Sequence, residues 1–203
     1  MPERLPETLH WFRFEAAFTW LSGMALLLLV YYAGGLLVDE GVADIKSSSA
    51  AAIGLALLVL GWLAYDWLCR SRLGHSGAAL GAAGFALLLA AAFGLTRVLS
   101  RRAAYMHVGA LLGTLMAANV WLRILPAQRL MVAVSRQGGV PDQGLASQAK
   151  LRSKHNTYVV VPLVLVMLSN HFPTISYGHA YNWLLLGGYL LLGFAAAGWA
   201  RER

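Results

Sequence analysis

The feature that most constrains this chain is a series of long apolar stretches. No charged residue occurs between Ala16 and Val38, and comparable stretches recur five more times along the sequence. A run of about 20 apolar residues is the length of a helix that crosses a bilayer. Backbone groups inside lipid must pair within a helix or a closed barrel, and the alternation typical of a barrel is absent. We therefore expect an all-α integral membrane protein, a bundle of about six transmembrane helices in a single membrane domain over 1–203.

The expected spans can be placed from these stretches. They are 11–38, 47–69, 77–96, 103–125, 155–171 and 180–200. The fourth span should stop at Pro126, and a polar, basic, cytoplasmic loop over 126–153 should follow it. The end of this loop, 145–154, contains few helix breakers and should continue as helix into the fifth span. Only 12% of the residues are charged, about half the usual share for a soluble domain, which argues against a soluble protein.

Lysine and arginine predict the orientation, because they are enriched in cytoplasmic loops. With both termini in the cytoplasm, four of the 16 Lys and Arg residues lie outside and the other 12 inside. The first ten residues are polar and no clear cleavage site follows, so we expect Met1 to be retained and the first span to act as an anchor. The net charge of +7 falls in loops between apolar segments. This pattern predicts contact with membrane lipids and no nucleic-acid partner.

Polar side chains within a membrane span are costly to bury in lipid, so each one that occurs there indicates a structural or functional role. The candidates near the inner face are Glu15, Asp66, Arg123, Lys154, His155 and Asn156. One interpretation is that they form ion pairs close to the interface. The other is an inner pocket in which the two carboxylates are catalytic groups that exchange protons and the cationic and amide side chains bind an anionic substrate.

Four histidines lie at span ends and form two pairs. The inner pair is His10 and His155, and the outer pair is His107 and His171. Paired imidazoles on facing helices can hold a metal, above all a non-covalent haem b, and glycines near His107 leave room for a macrocycle. The alternative is an interfacial histidine bonded to a backbone carbonyl. The single cysteine, Cys69, excludes an intramolecular disulfide framework and a CxxCH haem attachment site.

Several motifs occur in order along nearly the whole chain. They are HWFRFEA at 10–16, GWLAYD at 61–66, HVGA at 107–110 with Asn119, SKHNTY at 153–158, and LSNHFP at 168–173. With these motifs the chain resembles the membrane domain of the bacterial cytochrome c-type urate oxidases, or urate hydroxylases. By this resemblance, family members begin with a further membrane helix near a histidine and end in a cytochrome c domain with CxxCH. We expect this chain to lack both.

The resemblance implies a redox protein of purine catabolism in the bacterial inner membrane. It implies oxidation of urate, or of a similar small purine anion, with electrons passed to a cytochrome c or another redox subunit. Urate would then bind at the basic inner side, and electrons would leave near the outer histidines. Two other classes stay open from the residues alone. One is a haem-binding or structural subunit of a larger respiratory complex, and the other is a transporter whose path these polar groups line.

Overall fold

The computed structural model describes residues 8–202, with side chains from Arg13 to Arg201. Helices and short connections account for this part of the chain, and no β-strand occurs in it. The seven α-helices of the described residues are α1 Thr8–Leu27, α2 Ser47–Arg70, α3 Gly77–Val98, α4 Arg101–Asn119, α5 Leu125–Arg136, α6 Gln143–Ser169 and α7 Asn182–Glu202. Wider π-helical turns extend α1 over Leu28–Ala33 and join α4 to α5 over Val120–Ile124. The all-helical class predicted from the sequence is therefore confirmed.

Five helical stretches among the described residues are long and apolar enough to cross a membrane. They comprise α1 with its π turn, α2, α3, the continuous helix Arg101–Arg136, and α7. Helix α6 is not among them, because its first half is polar. Large apolar side chains face outward around the bundle, as at Phe18, Val59 and Leu192. This distribution suits helices whose outer surface faces lipid.

Helix α4 lies at the centre of the bundle. It packs against α1, α2, α3 and α6, and its buried side chains include Tyr105, Val108 and Leu112. A hydrogen bond 3.0 Å long from Trp20 Nε1 to Thr114 Oγ1 ties α1 to it. Polar groups on α4 are therefore held in the interior of the bundle, away from its outer surface. A site inside the bundle must use groups in such a position.

Three predicted boundaries were wrong. The first span ends at Ala33 because Gly34 and Gly35 break the helix, and Gly35 takes a left-handed φ of 73°. The fourth helix passes through Pro126, which directly follows the π-helical turn Val120–Ile124 at the start of α5. The expected loop over 126–153 is mostly helix, and only residues 137–142 connect α5 to α6. The predicted helical extension into the fifth span is confirmed by the start of α6 at Gln143.

Helices α6 and α7 form the most extensive helix pair. Gly193 on α7 lies directly against the backbone of Pro162 on α6, and a Cβ at this glycine would overlap the proline. Pro162 is itself fully buried. The close approach of the two backbones therefore requires glycine at 193 and fixes α7 against α6.

Candidate functional site

One buried carboxylate lies at the centre of a cluster of arginines. Arg123 binds Asp66 through both oxygens, with Nε to Oδ1 at 2.8 Å and Nη2 to Oδ2 at 2.5 Å. Arg152 Nη2 donates to Oδ1 at 2.7 Å, and Arg70 Nε lies 3.2 Å from Oδ2. Asp66 is only 7% exposed and Arg152 5%. The structure thus brings together Asp66 and Arg123, two of the predicted inner-face candidates, in an ion pair of the kind that the first interpretation describes.

The cluster carries a surplus of positive charge beside a small pocket. Three guanidinium groups surround one carboxylate, which leaves a net charge of +2. The three arginines and Gln148 line a pocket of about 200 Å³ between α2, α5 and α6, which we call the arginine pocket. This volume lies below the roughly 300–1,000 Å³ of sites for drug-sized ligands. The pocket therefore suits a small anion.

A chain of hydrogen bonds runs from this cluster to His155. Arg152 Nη1 donates to Asn119 Oδ1 at 3.4 Å, and Asn119 Nδ2 donates to Tyr65 Oη at 2.9 Å and to Asn156 Oδ1 at 3.0 Å. Tyr65 Oη lies 2.8 Å from His155 Nδ1. The chain connects α2, α4 and α6 at one end of the bundle.

The direction of these bonds is set by a backbone carbonyl. Asn156 Nδ2 donates to the carbonyl oxygen of Met116, which can only accept. The amide oxygen of Asn156 must then accept from Asn119, which in turn donates to Tyr65. The tyrosine proton is left to bond Nδ1 of His155, so a neutral His155 carries its own proton on Nε2. Asn156, predicted to bind substrate, is engaged in this network and does not line the arginine pocket.

His107 is enclosed and fully hydrogen-bonded. Its Nδ1 lies 2.8 Å from the carbonyl oxygen of Ala103, so Nδ1 donates and Nε2 accepts from Tyr32 Oη, also at 2.8 Å. His107 is 0% exposed, and a Cβ on Gly54 would lie 2.6 Å from its Nε2. We call Tyr32 and His107 the tyrosine–histidine pair.

The surroundings of His107 do not fit an axial haem ligand. Both ring nitrogens are engaged, and α2 occupies the space beside Nε2. The room expected at Gly109 is filled by Met167, whose Cε lies 2.6 Å from where a Cβ would be. His171 is exposed at the end of α6. Among the described side chains, no group of three or more His, Cys, Asp or Glu residues is arranged to hold a metal ion.

The other predicted residues are placed apart from the Asp66 cluster. Glu15 is exposed on α1, which packs mainly on α4, so the structure does not place it in an inner pocket with Asp66. Lys154 is exposed, with Nζ 5.9 Å from the centre of the Tyr158 ring. The side chain of His10 lies outside the described residues. Of the two predicted catalytic carboxylates, Asp66 alone lies within the polar network.

Sequence reasoning missed the buried Arg152. It fell within the stretch assigned to a loop, where an arginine is ordinarily solvated. A usable signal was present, because Arg152, Asn156 and Val159 follow the spacing of one helix face. On α6 the first two of these side chains both point into the network around Asn119.

The comparison with protein families fits these motifs. The model of the urate oxidase N-terminal family matches residues 1–202. This chain belongs to that family. No curated protein matches the chain, and no solved structure matches it either. In this member of the urate oxidase N-terminal family, the Asp66 cluster presents a surplus of positive charge to the arginine pocket.

Proposed function

We propose that this chain is a membrane protein that binds urate, or a similar purine anion, in the arginine pocket as part of a urate-oxidising system. The observation that carries the proposal is the surplus of two positive charges beside a pocket of about 200 Å³ in a chain of the urate oxidase N-terminal family. Urate is a planar monoanion at neutral pH with several carbonyl oxygens. Guanidinium groups suit such a ligand because they stack on planar rings and donate two parallel hydrogen bonds.

The residues of the arginine pocket have different roles in the proposed binding of urate. Arg152 is buried and fully committed to Asp66 and its network, so it fixes the charge of the site. Arg123 keeps about a third of its side chain exposed, and Gln148 adds an amide on the pocket wall. These two side chains and the more exposed Arg70 can contact a ligand. Asp66 holds Arg123 in place, which reduces the conformational entropy that the arginine loses on binding.

The proposed reaction is the two-electron oxidation of urate, with the electrons taken by a cytochrome c. Each cytochrome c takes one electron, so two are reduced for each urate monoanion consumed, and the one N–H proton that leaves the purine as it becomes the neutral, dehydrogenated product passes to water. The arginine-rich end lies in the cytoplasm in this proposal, because the Lys and Arg bias is typical of the inner side. With α6 as a sixth crossing beside the five apolar helices, both termini then lie in the cytoplasm of a bacterial cell, and the protein spans the inner membrane.

Equilibrium dialysis with radiolabelled urate tests the binding part of the proposal. We expect the Arg123→Gln and Gln148→Ala variants to bind urate at least about tenfold more weakly, since a hydrogen bond to a charged group contributes about 1.5–3 kcal/mol. Arg97→Gln, the same change on an exposed arginine at the other end of the bundle, is the matched control. Arg123→Lys keeps a positive charge beside Asp66 but lacks the guanidinium group. Weaker urate binding by this variant therefore reports the lost contacts with the ligand and not a failure to fold.

The oxidation is tested on the same preparation by adding a cytochrome c. We expect two cytochromes c to be reduced for each urate lost, with the same dependence on Arg123. Equal urate affinity in Arg123→Gln and Arg97→Gln would overturn the assignment of the pocket. Binding without any cytochrome c reduction would overturn the oxidase and favour the transport alternative.

A further inference from the structure

A second, larger groove lies between α5, α6 and α7. It has a volume of about 410 Å³ and is open along one side. Its polar lining consists of Gln128, Lys150, Ser153, Lys154, Thr157 and Arg201. Among the described side chains, no acidic residue lines it, and none of the three arginines around Asp66 reaches it. The groove is therefore a separate feature from the arginine pocket, and we call it the basic groove.

The positive charge of the basic groove is not neutralised by the described part of the chain. Each ion pair that the described side chains form involves Asp66. Lys154 Nζ and Arg201 Cζ lie 5.9 Å and 5.6 Å from the centre of the Tyr158 ring, so both cations lie near the same aromatic side chain. Lys150 lies one helical turn before Lys154 on α6. Three cations thus converge on one groove with hydroxyl and amide donors between them, which is an arrangement for an anion.

The groove continues into an apolar surface. Lys150, Lys154 and Thr157 follow the spacing of one face of α6, and the same face continues through Val164 and Leu168. These last two side chains are exposed by 48% and 52%. The exposed Trp199 on α7 lies two residues before Arg201. Exposed tryptophans near the ends of membrane helices are typical of the level of the lipid headgroups. A cationic groove therefore adjoins an apolar stripe along the helix axis.

We infer that the basic groove binds the headgroup phosphate of an anionic phospholipid, whose acyl chain lies along the Val164–Leu168 stripe of α6. Basic pockets between membrane helices on the cytoplasmic side bind anionic headgroups in this manner. A free small anion would use the same donors but would gain nothing from the stripe. The inference rests on the membrane placement in the proposed function and not on urate oxidation.

Lipid retention measures the inference directly. Purified protein is placed in nanodiscs of zwitterionic lipid that contain a small fraction of phosphatidylglycerol. It is then extracted with a mild detergent, and native mass spectrometry measures how much phosphatidylglycerol stays bound to it. We expect Lys150→Gln/Lys154→Gln to bind phosphatidylglycerol roughly thirtyfold more weakly, as follows from the usual contribution of two basic residues to anionic lipid binding. Lys46→Gln/Arg97→Gln removes the same charge at the other end and should bind as the original chain does. Lys150→Arg/Lys154→Arg should retain binding, which shows that charge and not folding is responsible.

Competition separates the sources of the anion. Inorganic phosphate that binds with the same lysine dependence, in a protein that retains no phosphatidylglycerol, would overturn the lipid assignment. So would equal lipid binding by the two charge-removing double variants. Urate binding that is lost in Lys150→Gln/Lys154→Gln but kept in Arg123→Gln would assign the groove to urate and overturn both proposals. Phosphatidylglycerol retention with the expected lysine dependence, in a protein that does not oxidise urate, would support the groove while the oxidase proposal fails.

Discussion

Asp66→Asn is the change that most directly tests how the polar cluster is held together. The asparagine keeps the shape of the side chain but leaves three guanidinium groups without a carboxylate. Two of them are partly solvated, with 56% and 31% of the side chain exposed, and contribute little to the cost. Arg152, with a side chain only 5% exposed, is left buried and unpaired. Breaking a buried pair in this way typically costs about 3–5 kcal/mol.

For a chain of this size, about 1 kcal/mol lowers the melting temperature by roughly 2–4 °C. We therefore expect Asp66→Asn to melt about 6–20 °C lower in a thermal unfolding assay on detergent-solubilised protein. Asp44→Asn, the same change at an exposed loop position, should shift melting by less than about 2 °C. Asp66→Asn/Arg152→Met, which also removes the buried charge, should recover most of the loss.

A melting temperature for Asp66→Asn within about 2 °C of the unchanged protein would refute this reasoning. Asp66 would then not be required to neutralise Arg152. If urate turnover nevertheless fell about 100-fold or more, the role of Asp66 would be that of a general base, because that is the usual scale for losing one.

Two further substitutions test the hydrogen bonds at either end of the bundle. Tyr65→Phe removes the hydroxyl between Asn119 and His155, so we expect the free energy of unfolding to fall by about 1–3 kcal/mol. The ¹⁵N chemical shifts of the His155 ring should also change, because Nδ1 no longer accepts a hydrogen bond from the tyrosine. Unchanged shifts would contradict the assigned tautomer. Gly54→Ala places a methyl group against the tyrosine–histidine pair and should destabilise the protein by about 1–3 kcal/mol. Gly81→Ala, in open space on α3, should stabilise it by about 0.5–1 kcal/mol, and equal effects of the two alanines would contradict the close packing at position 54.

The helices could be predicted because apolar length is a property of the local sequence. The boundary at Pro126 failed because a π turn carries the helix past the proline. The pairing of Asp66 with Arg123 was accessible, since both lie near the same end of their helices. The position of Glu15 was not, because lipid-facing and protein-facing residues of α1 are both apolar and the pattern does not show which face is buried.

The enclosure of His107 was also beyond the sequence. Its depth along α4 follows from its position in the chain, but its partners come from α1 and α2. A free imidazole and one bonded on both nitrogens give the same sequence pattern. Only the packing of Tyr32 and Gly54 against the ring distinguishes them, and that packing depends on how three helices are rotated relative to one another.

The contact between Pro162 and Gly193 has a consequence for how the protein enters the membrane during synthesis. Helix α6 emerges from the ribosome with a polar first half, and each lysine or arginine placed near the bilayer centre opposes insertion by about 2.5–3.5 kcal/mol. Helix α7 is apolar enough to insert by itself. Because the two backbones are in direct contact at this point, we expect α6 to insert stably as one arm of a hairpin completed by α7. The polar cluster, which needs Arg152 of α6, is then completed only after α7 has been synthesised.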